Sequence, residues 1–314
     1  MKLWQAPARV LPVTTRPFGG ETVISYTRRL SEANALGPTA VLRALGEVTH
    51  GTGRHLLDRD ALLNGAALHR LEALTGLPSR RLREALPALR SPGATSLASG
   101  RPVVRPFRLR LAARPACLGC TQRRATTTAL VHATIATRVC YRHRHWLEGR
   151  QLSIAPAPVI VHAHTRCRHL LRTAGHAWAA SVVHEATSIT ATWALDSDRW
   201  HTRLAERWRT RAQRLGVPTS HPAVRLPETV ALAHVMTDLD WRRHVALTDT
   251  WDLASVHRNV ARQTGATSAT LVYRGNDAFT SWVRFHRARF AHRREPGMLM
   301  PWVTRPLPEK GLFK

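Results

Sequence analysis

The sequence predicts a mainly α-helical protein. It reads as a helical bundle with helix-turn-helix units and a small central module pinned by cysteine and histidine. Two patterns carry this reading. Apolar residues recur every three to four positions in the N-terminal and C-terminal stretches, and a cysteine cluster interrupts them between residues 117 and 143. The clusters also suggest three parts: a helical domain over 1–100, a compact module over 101–150, and a Trp-rich helical domain over 151–314.

The first helix falls at residues 21–34. Val23, Tyr26, Leu30 and Ala33 share one face, and Glu21 or Thr22 lies in the first turn. Gly37 then ends it, and Pro38 suits the first turn of a second helix carrying Val41, Leu42 and Leu45. Residues 46–60, rich in Gly, Thr, His and charge, read as loop. Over 62–89, Leu68, Leu71 and Leu74 form one stripe, Thr75-Gly76-Leu77-Pro78 breaks it, and Ser79 is placed to cap a helix bearing Leu82, Ala85 and Leu86. Two amphipathic helices around a short Gly turn make the helix-turn-helix outline. Its second helix exposes Arg80, Arg81 and Arg83, which suit phosphates or guanine edges in a major groove. Glu72 stands where such motifs usually place a small residue, and an ordinary αα-hairpin with a solvated arginine face remains the plainer reading.

Residues 90–116 read as a Pro-rich linker with a β-like piece at 103–111. After about residue 155 the chain turns helical again. Trp178, Val182, Ala186, Ile189 and Trp193 follow one stripe, and Leu204, Trp208, Ala212 and Leu215 follow another. Eight of the ten tryptophans lie beyond residue 170, and such stripes are far more often core than ligand site.

Charge bounds the function. In 314 residues, 47 basic side chains against 20 acidic ones leave +27, before any of the 18 histidines is counted. Such a balance calls for an anionic partner: nucleic acid first, an anionic membrane second. Only Lys2, Lys310 and Lys314 are lysine, a bias that a GC-rich genome produces without explaining the scarcity of acids. Residues 1–30 carry no secretory signal pattern, and no apolar run is long enough to span a membrane, so a cytoplasmic, nucleoid-associated protein is expected. Under those conditions the four cysteines favour metal over disulfides.

Cys117, Cys120, Cys140 and His143 make the pattern C-x2-C-x19-C-x2-H. Paired ligands two residues apart form a knuckle that presents both to one ion, and two knuckles at this separation give zinc-ribbon spacing. Gly119 fits a tight turn inside the first knuckle. Four protein ligands close the site, which argues for one structural Zn2+, worth on the order of 10 kcal/mol in small peptide systems. His145 and Cys167 are alternatives for the fourth ligand, and a free-thiol pair beside a histidine-rich surface is the plainer reading. Cys167, with His162, His164 and His169, reads as a basic helix face rather than a second site. Residues 101–150 hold eleven arginines and one acid, Glu148, a local net of +10. Arg123, Arg124, Arg142 and Arg144 flank the ligands and suit phosphate contacts.

Two blocks resemble the TniQ/TnsD-type family of transposons that use an AAA+ ATPase. One runs from Leu11-Pro12 through Pro17 to Gly20-Glu21-Thr22-Val23-Ile24-Ser25-Tyr26, Arg28-Arg29-Leu30 and Asn34, similar to the family's "LP…P…GES…SW…R…N" opening. The other is Arg114-Pro115-Ala116-Cys117-Leu118-Gly119-Cys120, then Cys140-Tyr141-Arg142-His143 and Trp146-Leu147, similar to its "CPxC…C…H…L" ribbon. The likeness covers roughly residues 7–175. It implies helix-turn-helix units, a zinc ribbon, and a protein that selects a DNA target and recruits the transposition ATPase. By position it implies Cys117, Cys120, Cys140 and His143 as ligands. The chain departs from the family in having only Cys167 where a further cysteine pair is common, and no tryptophan between Ala129 and Ala136.

Three function classes follow. The first is a DNA-binding, non-enzymatic adaptor or target-selection protein, with a stand-alone transcriptional regulator of the same fold as its alternative. The second is a zinc-dependent nucleic-acid enzyme; a deaminase needs an H-x-E upstream of its cysteines, and none precedes residue 115. The third is an interaction module, in which the Trp-rich half docks an ATPase, a transposase or a second copy; exposed aromatic stripes would favour it, buried ones would not. The expected partners are double-stranded DNA and an AAA+ ATPase or a homodimer, with no membrane.

Overall fold

Helix α1 (Val23–Ala33) begins at Thr22, whose hydroxyl accepts the Ser25 N–H at 3.1 Å. A second cap comes from far away in sequence, because the Asp60 carboxylate accepts the Val23 N–H at 2.6 Å. The computed structural model describes residues 9–49, 58–90, 100–109, 112–122, 128–195, 202–247, 253–266 and 277–291. Its contacts divide the chain into two units, Met1–Leu152 and Ser153–Lys314. The protein is mainly helical, with short strands gathered in the first unit and at its end.

In the first unit α1 stops at Asn34, three residues before Gly37. Asn34 is held there by its side chain, which accepts the Val13 N–H and donates to the Val13 carbonyl, at 2.9 and 2.8 Å. Helix α2 (Ala40–Leu45) starts after Thr39, so Pro38 lies just outside it. Residues read as loop contribute two strands. Strand β1 (Glu47–Val48) runs parallel to β3 (Val103–Arg108), and β2 (Arg59–Leu63) runs antiparallel to β3, in the order β1-β3-β2. Strand β3 falls inside the expected 103–111 piece. Gly46 explains how the first strand approaches, since a Cβ there would stand 2.4 Å from the Pro102 carbonyl oxygen.

Leu62 and Leu63, the first residues of the 62–89 span that holds the helix-turn-helix outline, are therefore strand. Asn64 makes the switch: its Oδ1 accepts both the Val103 and the Ala67 N–H at 3.0 Å, ending the sheet and capping α3 (Gly65–Thr75). Gly76 ends α3 in the left-handed region at φ 64°, a conformation that favours glycine. Helix α4 (Ser79–Ala85) is capped not by Ser79 but by Glu72, whose carboxylate accepts the Ser79 N–H. The acid that departs from the usual helix-turn-helix pattern thus fixes the turn. Tyr26, Leu30, Leu42, Leu45, Leu71, Leu82 and Leu86 form the fully buried centre of this unit.

The second unit is built from α6 (Pro158–Thr173), α7 (His176–Leu195), α8 (Thr202–Leu215), α9 (Pro222–Thr237), α10 (Leu239–Leu247), α11 (Leu253–Thr264) and α12 (Ala278–Ala291). Both expected stripes are largely core: Val182, Ala186, Ile189 and Trp193 are buried, as are Leu204, Trp208, Ala212 and Leu215, while Trp178 is half-buried. Among the described residues of this unit, each buried indole N–H meets a carboxylate. Trp208 donates to Glu228 at 2.9 Å, Trp193 to Asp277 at 2.8 Å and Trp282 to Glu185 at 2.9 Å. Glu228 also takes a two-point contact from Arg211, and Glu185 pairs with Arg242, whose guanidinium lies 4.6 Å from the Trp178 ring centre. No helix among the described residues is long and apolar enough to cross a membrane.

The strongest single tie in the first unit is a buried ion pair. Arg29 donates twice to Glu21, both at 2.8 Å, and the two side chains are 2% and 0% exposed. Replacing Arg29 by alanine strands a buried carboxylate. The expected cost is about 3–5 kcal/mol, read as a lower urea midpoint for the first unit. A loss under about 1 kcal/mol would place the pair in the class of surface salt bridges.

Candidate metal centre

The knuckles grow from two short ladders. Strand β4 (Arg114–Pro115) pairs antiparallel with β5 (Leu130–Val131) and delivers Cys117 to the start of a one-turn helix, α5 (Leu118–Thr121). The Cys117 carbonyl accepts the N–H groups of Cys120 and Thr121 at 2.9 and 3.0 Å, so both thiols fall on one side of the turn. Strand β6 (Val139–Cys140) pairs with β7 (His145–Trp146), with Cys140 opposite His145. Residues 141–144 close that hairpin, with Arg144 in the left-handed region at φ 50°. The unit ends at β8 (Leu152–Ser153).

These turns bring four ligand atoms together. The Sγ atoms of Cys117, Cys120 and Cys140 lie 3.4, 3.3 and 3.6 Å from His143 Nδ1, and the Sγ atoms of Cys120 and Cys140 are 3.7 Å apart. All four atoms fall within 4.8 Å of one another. Metal bonds of about 2.3 Å to sulfur and about 2.0 Å to nitrogen, at tetrahedral angles, give edges of about 3.7 and about 3.5 Å. The donor set therefore fits one tetrahedral ion. His145 Nδ1 lies 3.8 Å from Cys117 Sγ, whereas His143 approaches all three sulfurs. Burial pushes the Cys117 and Cys120 thiols above the usual thiol range, an unfavourable setting for thiolates until a cation joins them.

Gly119 serves this cluster differently from expectation. Its φ is not in the left-handed region, so the turn itself does not require glycine. What requires it is the His143 ring, three atoms of which would stand 3.1–3.2 Å from a Cβ. The missing side chain is the space the imidazole occupies.

Several supports escaped the sequence reading. Gln151 brackets the first knuckle, accepting the Leu118 N–H at 2.9 Å and donating to the Ala116 carbonyl at 2.8 Å. Helix α1 holds the ladder behind it. The Ser25 hydroxyl accepts the Leu130 N–H at 2.8 Å and donates to Glu21 at 3.0 Å, while Thr22 N–H donates to the Leu130 carbonyl. His132 Nε2 meets the buried Asp60 at 2.7 Å. Glu21, Ser25, Arg29 and Asn34 were visible only as a signature; Asp60 and Gln151 carried no signal at all.

The expected DNA-contacting arginines separate. Arg80, Arg81 and Arg83 are exposed on α4, Arg80 paired with Glu84 at 3.1 Å. Arg142 and Arg144 are exposed in the second knuckle. Arg123 and Arg124 lie outside the described residues. Not every arginine of 101–150 faces water. Arg114 is buried, donating to the Thr134 carbonyl and Thr137 hydroxyl at 3.1 and 2.6 Å, and burial pushes its pKa down to about 10. Arg138 pairs with Glu148 at 3.2 Å. Cys167 is buried in α6 of the second unit.

The first unit is thus a mainly helical unit carrying a Cys3His cluster that could hold a metal ion. Residues 12–147 match the TniQ family model, which supports a TniQ-type assignment for that stretch of the chain. The chain matches no curated protein and no solved structure. A TniQ domain points to a transposition-associated adaptor.

Two substitutions probe the centre. Gly119→Ala displaces the His143 ring, and His143→Ala removes the only nitrogen donor of the four. Cobalt(II) added to the reduced protein should give intense tetrahedral absorption in the native chain. It should be weaker in Gly119→Ala and shifted in His143→Ala, with thiolate bands kept. An unchanged cobalt spectrum in His143→Ala would remove His143 from the ligand set.

Proposed function

We propose that the protein is a zinc-stabilised, DNA-binding adaptor that helps select the target of a transposition system. The match of residues 12–147 to the TniQ family carries the reading. Its role is positional rather than catalytic: a closed four-ligand centre has no open position for water or substrate. Zinc is the ion the donor set favours, because three thiolates and an imidazole at tetrahedral spacing are soft and borderline ligands.

Double-stranded DNA is the proposed partner on chemical grounds. Acids that might offset the net +27 are engaged within the fold: Glu21 with Arg29, Asp60 with His132, Glu148 with Arg138. The arginines left facing water include Arg80, Arg81 and Arg83 on the second helix of the helix-turn-helix candidate, and Arg142 and Arg144 on the metal knuckle. In this reading they contact phosphates, a role proposed for Arg123 and Arg124 as well, and the first three also approach base edges. An AAA+ transposition ATPase or a second copy of the chain is the proposed protein partner, and the nucleoid the place of work.

The burial of both tryptophan stripes counts against these faces as docking surfaces, so the adaptor role rests on other surfaces.

Binding to a 30-base-pair duplex should weaken steeply with salt, by about 0.9 log units of affinity per log unit of salt for each phosphate neutralised. Arg80, Arg81 and Arg83 changed together to glutamine should flatten that slope by about 2 to 3. Arg142 and Arg144 changed together should flatten it by about 1 to 2. If the native chain binds no duplex at low salt, the DNA role fails. Metal analysis of protein purified without added metal should find one zinc per chain, and Cys117→Ser with Cys120→Ser should abolish it.

A further inference from the structure

In the second unit, α8 and α11 border an open groove of about 1190 Å³. Arg203 and Arg207 line it from α8, and Arg258 and Arg262 line it from α11. Each pair is spaced i, i+4, which stacks the two side chains about 6 Å apart along one helix face. Glu206 is the one acid among the described lining residues.

Helix stability does not account for this placement. Like charges at i, i+4 destabilise a helix, and Arg203 stands in the first turn of α8, where the helix dipole disfavours a cation. Arg258 bonds only within its own helix, donating to the Ala254 carbonyl at 3.3 Å, whereas Arg207 reaches across to the other helix. It donates to the Thr264 carbonyl at 2.6 Å, capping the end of α11, and Gly265 leaves the room, since a Cβ there would stand 2.3 Å from Arg207 Nη2. That bond fixes one guanidinium at the lip of the groove, while Arg203, Arg258 and Arg262 are exposed beside it.

We propose that this groove binds the phosphodiester backbone of nucleic acid, giving the second unit a contact of its own. Opposed rows of cations at regular spacing suit a chain of phosphates. An acidic protein is the poorer fit, because a protein partner needs an apolar anchor, and the apolar lining here is Ala261 and Ala266, both 8% exposed. The proposal goes beyond the DNA reading of the first unit and does not depend on which residues there touch DNA.

The test uses the full chain and fluorescence anisotropy with a labelled 30-base-pair duplex and its single strand, from 50 to 200 mM salt. Arg203, Arg258 and Arg262 changed together to glutamine should lower the salt slope by about 2 to 3 for duplex, or by about 2 for the single strand, whichever is the ligand. Lysine at the same three positions should keep the native slope. A charge-matched control changes the exposed Arg166, Arg172 and Arg243 of the same unit to glutamine. An equal fall in the control would reduce the effect to net charge and overturn the groove. An unchanged slope in the groove variant would overturn it too, even if the Arg80, Arg81 and Arg83 variant loses binding. A groove variant that loses affinity while the Arg80, Arg81 and Arg83 variant does not would uphold the groove and sink the first-unit reading instead.

Discussion

The first unit hangs on one buried carboxylate. Glu21 takes both arms of Arg29, the Ser25 hydroxyl and the Phe18 N–H, and its side chain is 0% exposed. A carboxylate out of water is costly unless every lone pair has a donor, and here each does. The donors come from α1 and from the extended segment before it, so one acid sets how the N-terminal residues lie on the helix. Arg29 passes the constraint outward, donating to the Arg16 carbonyl at 3.1 Å and lying 4.7 Å from the centre of the Phe18 ring. Through Ser25 the same cluster reaches the ladder behind the metal knuckles. The TniQ signature is thus a hydrogen-bond cluster, and its polar residues are structural before they are anything else.

Tyr26 follows the same logic. Its hydroxyl donates to the Thr15 carbonyl at 2.8 Å, and burial, with the nearby Glu21 charge, holds its phenol well above the usual range. A buried tyrosine that stays protonated is a permanent donor, which pins the strap of residues 11–20 at its middle while Asn34 pins it at Val13.

The helices and the Cys3His cluster were legible because their signals are local. Stripes such as Trp178 to Trp193 repeat within one element, and the knuckles declare themselves by spacing two residues apart. What was illegible is whatever depends on residues far apart. Strands β1 and β2 carry polar residues and are stabilised by β3, more than forty residues on, so nothing in 46–60 marks them as strand. Asp60 looks like one charge among many in a loop, yet it caps α1 and holds His132. Gly119 was found for the wrong reason: its value lies in what crosses over it, not in its own backbone. Arginine count likewise overstated the exposed charge of 101–150, because Arg114 and Arg138 have partners inside the fold.

The Ser25–Leu130 bond joins residues 105 positions apart. A chain emerging from the ribosome completes α1 long before Leu130 exists. Until then the ladder contacts of Thr22 and Ser25 have no partner, although the donors to Glu21 are already in place. The core of the N-terminal helices closes within residues 11–107, but the ladder bonds of Thr22 and Ser25 must wait for the cysteine module, and long-range closure of this kind is slow. Any shortened form that ends before the ribbon would carry the signature residues without the neighbour they were arranged to meet. An ion held by the proposed ligands would steady the ladder on which Thr22 and Ser25 close, so its effect would reach α1 and not stop at the knuckles.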